Sequence, residues 1–255
     1  MNLRNIRLVL EYDGTRYAGW QLQKNAATVQ GVLEECLARL LDQPARVTGA
    51  SRTDSGVHAL GQVANFRTAS RLKPIQIRRG LNALLPPDVA VLEAAEADPE
   101  FDARRQAKGK LYAYRILNRE VRSAFEHAYA WHLRERLDVE KMAQAGQDFL
   151  GRHDFSAFRA SSCQAKNPVR RVRRLEVREP EQGRIVIEVE ATAFLQYMVR
   201  TMVGTLVEIG QGKRPVSAVT KLLQRGDRTL AGPTAPAQGL YLVRIFYGEA
   251  RDAIS

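Results

Sequence analysis

Cysteine is nearly missing from this chain: Cys36 and Cys163 are the only two in 255 residues, too few for a disulfide framework. Cys36 falls on the apolar stripe of a predicted helix, and both read as bystanders rather than ligands or nucleophiles. No apolar run approaches the roughly 18 residues that a membrane span needs. The opening Met1-Asn2-Leu3-Arg4 passes into a strand-like pattern without a signal-peptide core, so the chain is expected in the cytoplasm, away from membranes. Histidine is sparse too. His58, His127, His132 and His153 show no ligand spacing with the cysteines, which argues against a zinc site, and a P-loop or dinucleotide fingerprint is absent, so neither metal nor cofactor is expected. Asp13-Gly14-Thr15 matches the end of the phosphatase signature Asp-x-Asp-Gly-Thr, but Glu11 stands where the attacking aspartate belongs, leaving phosphotransfer without its nucleophile.

What is present is an ordinary folding composition, 45% apolar and 26% charged, in a chain long enough for two modest domains. Mixed charge with regular apolar spacing excludes general disorder; only the N-terminal residues, the extreme C-terminus and a few loops are expected to be loosely structured. The formal charge is +11. Residues 1–103 are balanced, 12 basic against 12 acidic, so all of the excess lies in residues 104–255. There Arg170-Arg171-Val172-Arg173-Arg174 sets four guanidinium groups in five positions. Two readings stand: a surface that neutralises several phosphates, or solvated strand-edge residues.

Alternation at Ile6, Leu8, Leu10 and Tyr12 predicts a half-buried strand, followed by a turn at Asp13-Gly14-Thr15. From Thr28 as N-cap, the three-and-four spacing of Val29, Val32, Leu33, Cys36, Leu37, Leu40 and Leu41 predicts a helix that stops before Pro44. Short strands are expected at 46–48 and 62–67, a helix from Pro74 to before Pro86-Pro87, and a strand at 89–92. The segment 93–110, rich in Ala and charge and broken by Pro99, is taken as a domain boundary, giving domains 1–103 and 104–255. Beyond it come strands at 111–117 and 129–133, then a helix capped by Asp138 with Val139, Met142, Phe149 and Leu150 on one face. Paired strands at 170–178 and 184–191 follow. A long helix has Leu195, Met198, Val199, Met202, Val203 and Leu206 inward, a shorter one runs from Pro215 to Gly226, and a last strand lies at 240–247. Mostly antiparallel strands with helices on one face make an α+β fold in two similar halves.

The string Ser51-Arg52-Thr53-Asp54-Ser55-Gly56-Val57-His58-Ala59 joins two of these strands. A turn needs only Asp54, Ser55 and Gly56, so the string is far longer than a turn requires. It resembles the catalytic motif of the tRNA pseudouridine synthase A family. Further blocks resemble that family in its order: Tyr12-Asp13-Gly14-Thr15 with Gly19-Trp20-Gln21, Leu81-Asn82-Ala83-Leu84-Leu85-Pro86, Lys110-Leu111-Tyr112-Ala113-Tyr114-Arg115, His153-Asp154-Phe155, Met198-Val199-Arg200 and Gly239-Leu240-Tyr241-Leu242. Ser51 stands where the family usually has Gly and Ser55 where it usually has Ala. Gln196-Tyr197 varies a position often occupied by an aromatic residue or His.

The resemblance implies the pseudouridine synthase fold with an active-site cleft between its two subdomains. It also implies an isomerase that turns uridine into pseudouridine in the anticodon stem-loop of tRNA, at positions 38, 39 and 40, as a homodimer. The reaction breaks the glycosidic C–N bond, rotates the uracil and rejoins it to ribose through carbon, consuming no external reactant. It therefore needs a group that assists at the sugar, as nucleophile or as base, and then departs. The resemblance gives that role to Asp54 and leaves open which of the two it performs. Arg200, off the apolar stripe of its helix, matches the basic residue that pairs with this aspartate. Tyr112 matches an active-site tyrosine, though Tyr114 lies on the same strand face. A stem uridine must be flipped out, and Arg52 matches the residue that fills the gap. The competing readings are an RNA-binding module without catalysis and a pseudouridine synthase for another RNA site. A purely binding surface has no use for a carboxylate among its phosphate contacts.

Overall fold

Alternation of apolar and polar residues sets the first strand, β1 (Arg4–Tyr12), in which Ile6, Leu8, Leu10 and Tyr12 are buried on one face. The structure is a computed structural model that describes residues 3–248; Met1, Asn2 and the residues from 249 onward, expected to be loosely structured, lie outside the described residues. Helix α1 (Val29–Leu41) follows, its N-cap Thr28 accepting the Gly31 amide as the sequence predicts. Then come β2 (Val47–Gly49), β3 (His58–Thr68), α2 (Pro74–Leu84) with Pro at its first turn, and β4 (Val89–Ala97). β1 lies between β3 and β4, antiparallel to both, with Ile6, Leu8 and Leu10 opposite Phe66, Ala64 and Gln62. Val29, Leu33, Cys36 and Leu37 of α1 and Ile77 and Leu81 of α2 are apolar helix positions buried in this unit.

Two of these elements outrun their sequence signal. β3 begins at His58, four residues before the expected start, so the end of the Asp54 string is already strand. β4 continues through Glu93 and Glu96 to Ala97, because backbone pairing with β1 carries an edge strand none of whose side chains beyond Val91 is buried. The residues after it are pinned to the other face of the sheet by two buried asparagines. Asn5 Nδ2 donates to the carbonyls of Asp98 and Phe101, while Asn65 donates to Asn5 Oδ1 and accepts the Ala103 amide.

The described residues divide into two compact units, one of residues up to 108 together with those from 242 onward, the other of residues 109–241. The second contains β5 (Gly109–Asn118), β6 (Trp131–Leu133), α3 (Val139–Gln147), β7 (Gly151–Asp154), β8 (Val169–Glu181), β9 (Arg184–Ala191), α4 (Met198–Gly210) and α5 (Ala218–Arg225). Its strands run β5-β9-β8-β7, antiparallel throughout, with short β6 parallel to β5. Gly146 of α3 sits against Leu175 of β8, where a Cβ would stand 2.5 Å from the leucine side chain. From Leu242 the chain belongs to the first unit again, where β10 (Leu240–Phe246) runs beside β3.

Several boundaries differ from expectation. β6 is shorter, starting at Trp131 rather than Tyr129. α3 stops at Gln147, leaving Phe149 and Leu150 in a tighter turn ahead of Gly151 at φ 98°. Phe149 is nevertheless fully buried, between Phe155 and Phe158. β7 carried no apolar alternation and was not expected. α4 starts at Met198, since Tyr197 before it is left-handed at φ 63°, and Leu195 lies outside the helix. Nor does α4 show a one-sided stripe: of its residues only Arg200 and Glu208 are not buried.

Candidate active site

Residues 50–57 link β2 to β3. Burial alternates along them: Ser51 and Thr53 are buried, Arg52 is exposed and Asp54 half-buried. Arg52 and Asp54 therefore share the outward side, while their neighbours anchor the segment inward. The anchoring is specific. Gln62, wholly buried, takes the Ser51 amide on Oε1 at 3.1 Å and donates to the Ser51 carbonyl from Nε2 at 2.7 Å. The Thr53 hydroxyl meets the Tyr12 phenol at 2.8 Å, and the Thr53 carbonyl accepts the Trp20 amide at 3.1 Å. The Asp54 carbonyl accepts the Val57 amide at 3.2 Å, closing a tight turn whose third residue, Gly56, has φ 75°.

The segment from Tyr12 to Trp20 forms the cradle for that turn. The Tyr17 carbonyl accepts both the Gly56 amide, at 3.2 Å, and the Ser55 hydroxyl, at 3.3 Å. The Tyr17 phenol donates to Asp88 at 2.7 Å, and Asp88 also pairs with Arg16. Burial, reinforced by the Asp88 carboxylate, pushes this phenol well above its ordinary range, so it stays a donor. Backbone meets backbone here at distances that only glycine permits: a Cβ on Gly14 would lie 2.1 Å from the Val57 carbonyl oxygen. His58 Nδ1 is 3.1 Å from both the Gly14 amide and an Asp13 carboxylate oxygen. The nitrogen accepts from Gly14 only when deprotonated and donates to Asp13 only when protonated, so the two bonds exclude each other. Around Arg52, desolvation and then the charge of Arg104 hold the guanidinium below its ordinary value.

Tyr112, Tyr114 and Arg200 all belong to the second unit. The two tyrosines, equivalent by alternation, differ in their surroundings. Tyr114 is completely buried, its phenol donating to the Pro236 carbonyl at 2.7 Å and pushed far up by burial, with Arg200 opposing. Tyr112 packs edge-on against Phe194, ring centroids 5.1 Å apart. Arg200, in the first turn of α4, donates from Nε to the Ala235 carbonyl at 2.7 Å, and its guanidinium lies 4.8 Å from the Tyr197 ring centroid. These contacts fix the arginine against its own unit; it is no solvated helix-surface residue. Sequence reasoning had not assigned Gln62, Tyr17 or Asp88 any part in holding the Asp54 loop. The closely spaced Gly14 and Gly19, in a block otherwise read as a turn, were the signal for a close backbone crossing.

Cys36 is buried in α1, and desolvation raises its thiol, which suits a packing role. Among the described residues no group of three or more His, Cys, Asp or Glu is arranged to hold a metal ion, and no helix is long and apolar enough to cross a membrane.

An α+β chain whose half-exposed aspartate follows an exposed arginine on a glycine-braced loop matches one family model, described as tRNA pseudouridine synthase, over residues 8–104 and 145–248, and the chain belongs to that family. Its curated relatives carry the name tRNA pseudouridine synthase A. The protein from Myxococcus xanthus is 50% identical over 248 residues, covering 97% of this chain and 94% of the relative. That from Geotalea uraniireducens is 48% identical over 245 residues, covering 96% and 100%, and that from Pelobacter propionicus 49% identical over 246 residues, covering 96% and 100%. The resemblance read from the Asp54 string is thus borne out at the level of the family.

Proposed function

We propose that this tRNA pseudouridine synthase acts on uridines 38, 39 and 40 of the anticodon stem-loop, with Asp54 as its catalytic carboxylate. The observation that carries the reading is the Asp54 loop itself. A carboxylate is held half-exposed at the start of a tight turn, two residues after an outward arginine, by hydrogen bonds that occupy the backbone on both sides of it. In its ionised form an aspartate can attack the sugar or take a proton from it. Breaking the bond from ribose C1′ to uracil N1 and forming one from C1′ to C5 leaves a hydrogen on C5 that must depart and a nitrogen that must gain one. The reaction is therefore balanced without cofactor or metal.

Arg52, adjacent to the loop and exposed, fills the gap left when the target nucleotide is flipped, its flat guanidinium stacking where a base had been. Tyr112 supplies a ring for the flipped uracil, and Arg200 a fixed cation in partnership with the catalytic carboxylate. Tyr114 is less suited to the ring role than Tyr112, being wholly enclosed with its hydroxyl committed to the Pro236 carbonyl, where Tyr112 keeps 6% of its surface open. The enzyme works in the cytoplasm as a homodimer.

The test is incubation of purified protein with an unmodified tRNA transcript, without added metal or nucleotide, followed by chemical mapping of pseudouridine by position, with Asp54→Asn in parallel. Product confined to positions 38–40 with the wild type and absent with Asp54→Asn is the expected result. Product elsewhere moves the assignment to another RNA site. Tight tRNA binding without product on several transcripts replaces catalysis by RNA binding alone.

A further inference from the structure

We infer that Tyr12 is a positioning residue for this reaction, its phenol acting through the Thr53 hydroxyl to orient the peptide that carries Asp54. The inference rests on the catalytic reading of Asp54 above.

The two hydroxyls are 2.8 Å apart, and their residues are 4% and 7% exposed, so this bond is shielded from the solvent that would otherwise weaken it. Tyr12 itself is held from several sides. It ends β1 just where the register with β3 slips between Leu10 and Tyr12, a bulge that re-aims the last side chain of a strand. Its ring lies 6.1 Å from that of Trp20, whose own amide donates to the Thr53 carbonyl. Its phenol is also 3.5 Å from Gln62 Nε2, the nitrogen that holds the Ser51 carbonyl. Ser51 and Thr53 are thus gripped at side chain and backbone by one buried group of Tyr12, Trp20 and Gln62. Asp54 is the next residue along, and its direction is set by the peptide plane that follows Thr53.

A hydroxyl pair used only for stability is dispensable. Replacing both partners by apolar groups of the same shape is close to neutral, whereas removing one leaves the other buried without its partner. The double variant Tyr12→Phe/Thr53→Val therefore separates folding from orientation. Its melting temperature should stay near that of the wild type, and its KM for tRNA should stay within twofold. Its kcat should fall on the order of tenfold or more, the scale on which misplacing a reacting group acts. Thr53→Ser, which keeps the hydroxyl, should restore kcat to within a fewfold of wild type, and the two single variants should show losses that do not multiply in the double.

A double variant with wild-type kcat overturns the inference, as does a loss confined to KM or one restored by no hydroxyl at position 53. Asp54→Asn is assayed alongside. If that variant keeps activity, the catalytic reading itself falls; if it is inert while the double variant turns over normally, only the role of Tyr12 is withdrawn.

Discussion

At Gly19 a Cβ would stand 2.5 Å from the Thr53 carbonyl oxygen and 3.0 Å from the Asp54 carbonyl carbon, in a backbone at φ 94°. Gly212, after α4, shares the left-handed backbone at φ 71° but would meet nothing within 4 Å. Alanine at Gly212 therefore pays only the conformational strain, about 1–2 kcal/mol, with turnover unchanged. Gly19→Ala adds a backbone collision that only movement of the Asp54 loop relieves. It should lose more stability than Gly212→Ala in urea unfolding, and turnover should drop beyond what the folded fraction accounts for. Equal midpoints and equal rates for the two variants would remove the cradle role assigned to the Tyr12–Trp20 segment. The loop itself, with Arg52 and Asp54 on its outward side, was legible in the sequence because an unusual string of residue types marks it. Its support was not: Gln62 sits in a strand, where alternation assigns it a side but cannot announce that its amide mimics a missing strand partner for Ser51.

Helix α1 was read nearly to the residue, since Thr28, the apolar stripe and Pro44 each act locally. Removing that cap by Thr28→Ala should cost about 1 kcal/mol and lower the melting temperature by about 2–4 °C, with activity per folded molecule retained. At α3 the cap is Asp138, whose pKa is lowered chiefly by hydrogen bonds from Lys141. A depressed carboxylate contributes stability above its unfolded pKa, about 3.9, and loses it as pH falls through the lower folded value. The melting-temperature gap between wild type and Asp138→Ala should therefore be full near pH 6 and shrink as the pH falls through the depressed folded value; a gap that is the same at every pH contradicts the charged cap. What sequence periodicity missed, it missed for a shared reason. β4 past Leu92 and β7 are held by backbone pairing to a neighbour, and α4 is buried almost all round, so none of them carries the one-sided pattern that marks an element from its own residues.

Summed over the chain the charge is +11, yet the sum says little about which arginines are available to a polyanion. In β8, Arg174 pairs with Glu176 and Glu188, Arg178 with Glu188, and Arg173 with Glu190. Arg170 is turned back onto the Asn167 and Val169 carbonyls. Of the four arginines counted in the sequence, only Arg171 is exposed with no carboxylate at ion-pair distance among the described residues. Composition counts guanidinium groups, whereas two of the acids that answer them, Glu188 and Glu190, lie on the neighbouring strand β9, so this sorting needed the strand register. For tRNA binding measured across a salt series, each phosphate contact contributes about 0.7–0.9 to the slope of log affinity against log salt. Arg171→Ala should lower that slope by about one contact and weaken binding most at low salt, while Arg173→Ala and Arg178→Ala should change it less. Glu188→Gln, which frees Arg178 and leaves Arg174 with Glu176 alone, should steepen the slope and tighten binding. If all four variants bind alike at every salt concentration, the strand's arginines serve the sheet alone, and the backbone of the tRNA is held elsewhere on the protein.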